Sequence, residues 1–134
     1  GKGTPIVVKF TEVDVAVKAT EFAKVRELID QRKVGVHSVS DVKSVEVGGL
    51  DKLKYGHIDV KTSGTLTIGK DGSWSYRGKL SSARPDTYNF DASTHRGKLD
   101  EFATSIGRKV GSELHSRPFK INFVGEKDHS DEGR

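Results

Sequence analysis

The sequence predicts an α+β domain: a curved, mainly antiparallel, open barrel-like sheet with two flanking helices. Three observations carry that prediction. Residues 56–80, GHIDVKTSGTLTIGKDGSWSYRGKL, alternate apolar and polar side chains around an Asp71-Gly72 pair, as a hairpin does. Two other stretches, 18–33 and 98–114, repeat apolar residues at spacings of three and four, as amphipathic helices do. No repeat or interior linker divides the 134 residues, a length that suits one domain with a hydrophobic core.

The elements follow in order. PIVVKF (5–10) reads as a short strand. In KATEFAKVRELIDQRK (18–33), Phe22, Val25 and Ile29 share a helical face with Leu28 at its edge; Thr20 is the candidate N-cap and Gly35 the candidate stop. KSVEVGGL (43–50) alternates Val45 and Val47, then breaks at Gly48-Gly49. The runs Ile58/Val60, Leu66/Ile68 and Trp74/Tyr76 form an antiparallel meander. Asp71-Gly72 is expected at a two-residue turn whose central positions both take positive φ. KLDEFATSIGRKVGSEL (98–114) aligns Leu99, Phe102, Ile106, Val110 and Leu114, a helix weakened by Gly107 and Gly111. PFKINFV (118–124) adds a closing strand through Phe119, Ile121 and Phe123. The domain is expected to span 1–125. The tail 126–134, EKDHSDEGR, has no apolar residue and is expected to be disordered.

Composition narrows the function. With no Cys and no Met, disulfides, thiolate zinc sites and cysteine nucleophiles are excluded. A formal net charge of +4 favours anionic partners: nucleic acid, phosphorylated lipid or an anionic membrane surface. No stretch nears the roughly 18 apolar residues of a membrane span, so no transmembrane segment is expected, and no signal-peptide pattern is present. A chain that begins GKGTP is expected to be a processed form or an excised piece.

The chemistry concentrates in RPDTYNFDASTHR, residues 84–96. It holds two carboxylates (Asp86, Asp91), a phenol (Tyr88), an amide (Asn89), an imidazole (His95) and two guanidinium groups (Arg84, Arg96). An extended 88–91 puts Asn89 and Asp91 on one face and Tyr88 and Phe90 on the other. His95 and Arg96 stand just ahead of the second predicted helix, where free N–H groups and the helix dipole favour anions. A phosphate there would meet Arg96, the helix-end amides and a cation held by Asp86 or Asp91. His95 titrates near neutrality and suits proton transfer during P–O cleavage. These residues read as metal-assisted phosphoester chemistry. A hydrogen-bonded strand-to-helix turn with solvated charges accounts for the same letters.

DTYNFDASTHR resembles the active-site signature of the colicin M family, bacterial toxins that hydrolyse lipid II, the undecaprenyl-linked peptidoglycan precursor. The family pattern is Asp-x-Tyr-Asp, five residues, then His-Arg. Asp86, Tyr88, His95 and Arg96 fall on its first, second, fourth and fifth fixed positions, and Ser93-Thr94 precedes the His-Arg pair as in the family. The resemblance covers most of the chain as a catalytic domain, with a Trp-containing hairpin before the motif and a helix and a closing strand after it. It implies Mg2+-dependent cleavage between undecaprenol and pyrophosphate, halting wall synthesis. It also implies a released toxin acting in the target periplasm at the outer face of the inner membrane, with an immunity protein as partner.

By the same resemblance, Asp86 is the central carboxylate and binds the metal, and His95 is the acid/base group. Arg96, with Arg84, steadies the pyrophosphate, and Tyr88 orients. At the family's second Asp stands Asn89, which has neither basicity nor charge. Three explanations stay open: an inactivating substitution, divergence with Asp91 as the substitute carboxylate and metal ligand, or a position needed only for hydrogen bonding.

The remaining polar residues have plainer readings. His37, His57, His115 and His129 show no metal-ligand spacing and are expected at the surface or in hydrogen bonds, with His129 in the polar tail. Trp74 and Tyr76 are expected to pack across strands. Lys52, Lys54, Lys61, Lys70, Lys79 and Arg84 make a solvated sheet face, or a basic surface suited to an anionic membrane. Neither a phosphate-binding GxxxxGK[ST] loop nor a GxSxG elbow occurs. The rival functions are a metal-dependent nuclease toxin and a non-catalytic, basic nucleic-acid-binding domain. With 7% aromatics the chain lacks a stacking ladder, and no nucleic-acid partner is expected.

Overall fold

Alternating side chains and short turns give two sheets. The computed structural model describes residues 6–13, 15–46, 57–83, 88–91, 104 and 118–134. In chain order these form β1 (Ile6–Lys9), 3₁₀ turns at Phe10–Glu12 and Ala19–Glu21, and helix α1 (Ala23–Asp30). Strands β2 (Gly35–Glu46), β3 (His57–Ile68), β4 (Trp74–Ser82), β5 (Tyr88–Asp91), β6 (Pro118–Val124) and β7 (Glu126–Gly133) follow. One sheet has the order β2-β3-β4-β7, antiparallel throughout; the other has the order β1-β6-β5, with β1 and β6 parallel. The α+β class and the mainly antiparallel, open sheet are as predicted, but the expected single sheet is divided in two. Of the second predicted helix only Thr104 is described, in helical conformation; the rest of 98–114 lies outside the described residues.

In β3 the core-facing residues are Ile58, Val60, Thr62, Leu66 and Ile68, all buried, with Gly64 between them. Thr62 and Gly64 interrupt the apolar alternation, so a single twelve-residue strand reads in sequence as two short runs. Gly64 pairs with Gly78 of β4. A Cβ on Gly64 would come within 2.5 Å of the Arg77 carbonyl oxygen and 2.7 Å of the Tyr76 ring. The two glycines therefore clear the space across which the Tyr76 ring lies.

The β3–β4 turn differs from expectation. Ile68 pairs with Trp74, Gly69 N–H donates to Ser73 O (2.8 Å) and Gly72 N–H to Gly69 O (3.1 Å). The loop is closed by one left-handed residue, Gly72 at φ 87°, while Asp71 keeps a negative φ. Asp71 instead accepts hydrogen bonds from the Ser73 backbone N–H (3.0 Å) and hydroxyl (2.6 Å).

Helix α1 is shorter than the predicted 18–33. Its N-cap is Phe22, which has no capping oxygen, so Thr20 does not cap it. The cap comes from β2, where the Asp41 carboxylate accepts the Lys24 N–H at 3.1 Å. The helix stops before Gly35. Lys33 N–H bonds Leu28 O (3.1 Å), Arg32 N–H bonds Ile29 O (3.0 Å), and Arg32 takes the left-handed φ of 52° that such a stop requires. Strand β2 then begins at Gly35, well before the predicted 43–50 segment.

The largest departure is at 126–134. This stretch is not a disordered tail: Glu126–Gly133 forms β7, paired with β4 from Ser81↔Glu126 to Trp74↔Gly133. Absence of apolar residues misleads here because the inward side chains are polar but bonded. Lys127 Nζ donates to Val13 O (3.3 Å), and Asp131 accepts the Ala19 N–H (3.2 Å). His129, expected in a mobile tail, is buried with both ring nitrogens in hydrogen bonds. Strand β7 thus clamps the connection through Val13, Val17 and Ala19 onto the sheet. The core beneath unites Val8, Phe10, Val13, Val17, Phe22 and Val25 with the inner faces of both sheets, including Ile121 and Phe123.

Candidate functional site

Of the sequence-predicted site, Tyr88, Asn89 and Asp91 lie on β5, an edge strand beside β6. Tyr88 is the register partner of Ile121, Asn89 of Lys120 and Asp91 of Pro118. Arg84, Asp86, His95 and Arg96 lie outside the described residues. On β6, Ile121 and Phe123 are buried toward the core, while Lys120 and Val124 on the opposite side are exposed. Asn122, between those two, has a buried Oδ1 that no hydrogen bond satisfies, the only such side-chain atom among the described residues. A buried, unpaired amide oxygen costs free energy and calls for an explanation. Sequence reading missed Lys120 and Asn122 because they sit well beyond the motif's end at Arg96 and meet it only through strand register.

The other candidates resolve as structural. The buried hydroxyl of Tyr76 lies 2.7 Å from Thr62 Oγ1, which lies 3.2 Å from His129 Nδ1, and His129 Nε2 lies 3.1 Å from Val17 O. A carbonyl only accepts, so Nε2 carries the hydrogen. In neutral His129 Nδ1 then accepts from Thr62, and Thr62 accepts from Tyr76. Burial holds the His129 pKa below the ordinary histidine value, against the opposing pull of the Val17 carbonyl and the Asp131 and Glu21 charges. Burial likewise pushes the Tyr76 phenol up. Phe22 and Tyr76 meet the imidazole edge-on, with centroids at 5.8 and 5.6 Å.

His37 Nε2 bonds Lys33 O (2.6 Å), and His57 lies 3.6 Å from Glu46; His115 lies outside the described residues. Trp74 packs against the core as predicted. Of the expected basic surface, Lys61 and Lys70 are exposed and Lys79 pairs with Asp128; Lys52, Lys54 and Arg84 lie outside the described residues.

No group of three or more His, Cys, Asp or Glu residues that could hold a metal occurs among the described residues. The motif's own donors, Asp86 and Asp91 with the amide of Asn89, are hard oxygens of the kind Mg2+ takes. Their chemistry fits that ion.

The model of the family described as Colicin M matches residues 1–133, and the chain belongs to the colicin M family. It is 29% identical over 137 residues to Colicin-M of Escherichia coli, covering 100% of the chain and 49% of that relative. The chain thus spans about half the length of the curated relative it matches. Two solved structures share its fold. One is PaeM, a colicin M-like bacteriocin of Pseudomonas aeruginosa (TM-score 0.68, 21% identity, 100% of this chain and 47% of that one). The other is truncated syringacin M of Pseudomonas syringae pv. tomato DC3000 (TM-score 0.67, 22% identity, 100% of this chain and 55% of that one).

Proposed function

We propose that this chain is the catalytic domain of a toxin that hydrolyses lipid II, cleaving between undecaprenol and pyrophosphate and so blocking peptidoglycan synthesis. The observation that carries the reading is the spacing of Asp86, Tyr88, His95 and Arg96 in a chain matched end to end by the colicin M family. Asp86, with Asp91, would hold Mg2+, which offsets the charge of two adjacent phosphates so that a nucleophile can approach. Water adds to the phosphorus bearing the prenyl oxygen, giving up a proton to solvent, and the bond to the prenyl oxygen breaks. His95 supplies the proton that the departing undecaprenol needs. Arg96, aided by Arg84, binds the pyrophosphate oxygens, and Tyr88 orients the reacting group. The toxin would be released by its producer and act at the outer face of the target's inner membrane. An immunity protein would protect the producer.

Asn89 sets the sharpest question. Asp91, two residues along the same strand, is the nearest replacement carboxylate. The test is to incubate the chain and its Asn89→Asp variant with labelled lipid II and with nucleic acid, with and without Mg2+. Release of undecaprenol only when Mg2+ is present supports the reading. Degradation of nucleic acid instead would assign a nuclease toxin. Activity that appears only in the Asn89→Asp variant would mean that the amide disables the site.

A further inference from the structure

The side of β6 turned away from the core has an unusual make-up. It carries Lys120, Asn122 and Val124, and the register adds Val7 opposite Asn122 and Lys9 opposite Val124 from β1. Val7 is 46% exposed and Val124 39%, which leaves two large apolar side chains open to solvent on this three-stranded sheet. Lys9 and Lys120 are exposed and make no ion pair with any described residue. Between them lies Asn122, whose side-chain oxygen is buried without a hydrogen-bond partner. The strand that completes the sheet is β5, and the register partner of Lys120 is Asn89.

Two exposed cations and two exposed valines on one face complement a molecule that is anionic at one end and aliphatic at the other.

We propose that this open face of the β1-β6-β5 sheet is the docking surface for the lipid-linked pyrophosphate, with Lys120 as its phosphate contact and Val7 and Val124 as its prenyl contacts. The proposal rests on the lipid II reading above and adds the surface that receives the substrate. Lys120 binds; it takes no part in bond cleavage.

Farnesyl pyrophosphate is the probe, titrated into the full chain at fixed ionic strength and followed by NMR shifts of the β6 amides. Farnesol and inorganic pyrophosphate serve as half-probes. The expected result is saturable binding of farnesyl pyrophosphate, weakened about tenfold by Lys120→Gln, the loss of one charge-assisted contact. Val7→Ser with Val124→Ser should weaken farnesyl pyrophosphate but leave inorganic pyrophosphate unchanged. Lys33→Gln, an exposed lysine beyond α1, should change neither. No binding, or equal weakening by Lys33→Gln, would overturn the proposal. Lipid II turnover separates the two readings. Binding without hydrolysis by either the parent or Asn89→Asp refutes the proposed reaction and keeps the surface. Hydrolysis with an unchanged KM in Lys120→Gln refutes the surface and keeps the reaction.

Discussion

Strands β6 and β7 follow one another across Gly125, one at the centre of its sheet and one at the edge of the other, and they are built from opposite materials. β6 presents Ile121 and Phe123 to the core; β7 presents Lys127, His129 and Asp131. The first is held by removing apolar surface from water. The second is held by bonding each inward polar group to the backbone of one connection, at Val13, Val17 and Ala19. A polar strand can be as integral as an apolar one when no inward group lacks a partner, but it fails differently. Apolar burial fails through cavities, whereas a polar clamp fails through stranded hydrogen-bonding groups and pH.

That contrast ranks the expected effects. Phe123→Ala should be the most damaging, at about 3–5 kcal/mol, because the ring leaves a cavity between the sheets. Urea unfolding measures it, and a smaller loss than for any β7 variant would reverse the ranking. His129→Ala comes next, at about 1–3 kcal/mol, because Val17 O and the Thr62 hydroxyl lose their imidazole partner.

His129 also makes the clamp sensitive to acid. Its pKa in the folded chain is depressed by burial, so the unfolded chain takes up the proton first as pH falls. Its contribution is complete above the unfolded value of about 6.5, declines as pH falls from there through the folded value, and is level below it. Urea midpoints recorded from about pH 8 to about pH 5, a range that brackets the ordinary histidine value, should fall in the parent more than in His129→Gln. Parallel profiles would remove His129 from the clamp.

Asp131→Ala should cost about 1 kcal/mol, the loss of one part-buried hydrogen bond to Ala19. At the outer side of the same strand, Lys79→Gln breaks the exposed pair with Asp128 and should leave the Tm unchanged. A measurable drop there would mean that the outward charges of β7 also hold the sheet.

The same contrast explains what the sequence could say. Wherever burial is apolar and periodic, as at Ile58, Val60, Leu66, Ile68, Ile121 and Phe123, the strands were legible. Wherever the inward residues are polar or absent, as at Thr62, Gly64 and all of β7, the pattern vanished and a strand passed for a break or a tail. The ends of α1 were hidden for a related reason. Its cap is Asp41 of a distant strand, and its stop is an arginine in a glycine's conformation. The candidate site divides similarly. The motif's letters named a chemistry and a family, whereas Lys120 and Asn122 join it only through the register of β5 with β6, which spacing along the chain does not encode.

Identification of products decides whether the motif around β5 performs the proposed phosphoester hydrolysis on lipid II. Mass spectrometry of a Mg2+-containing reaction should find free undecaprenol and the pyrophosphorylated disaccharide-peptide. Both should be absent with a chelator and in Asp86→Ala and His95→Ala proteins that retain the parent's unfolding midpoint. Undecaprenol released at the parental rate by Asp86→Ala, or by neither the parent nor Asn89→Asp, would contradict the account.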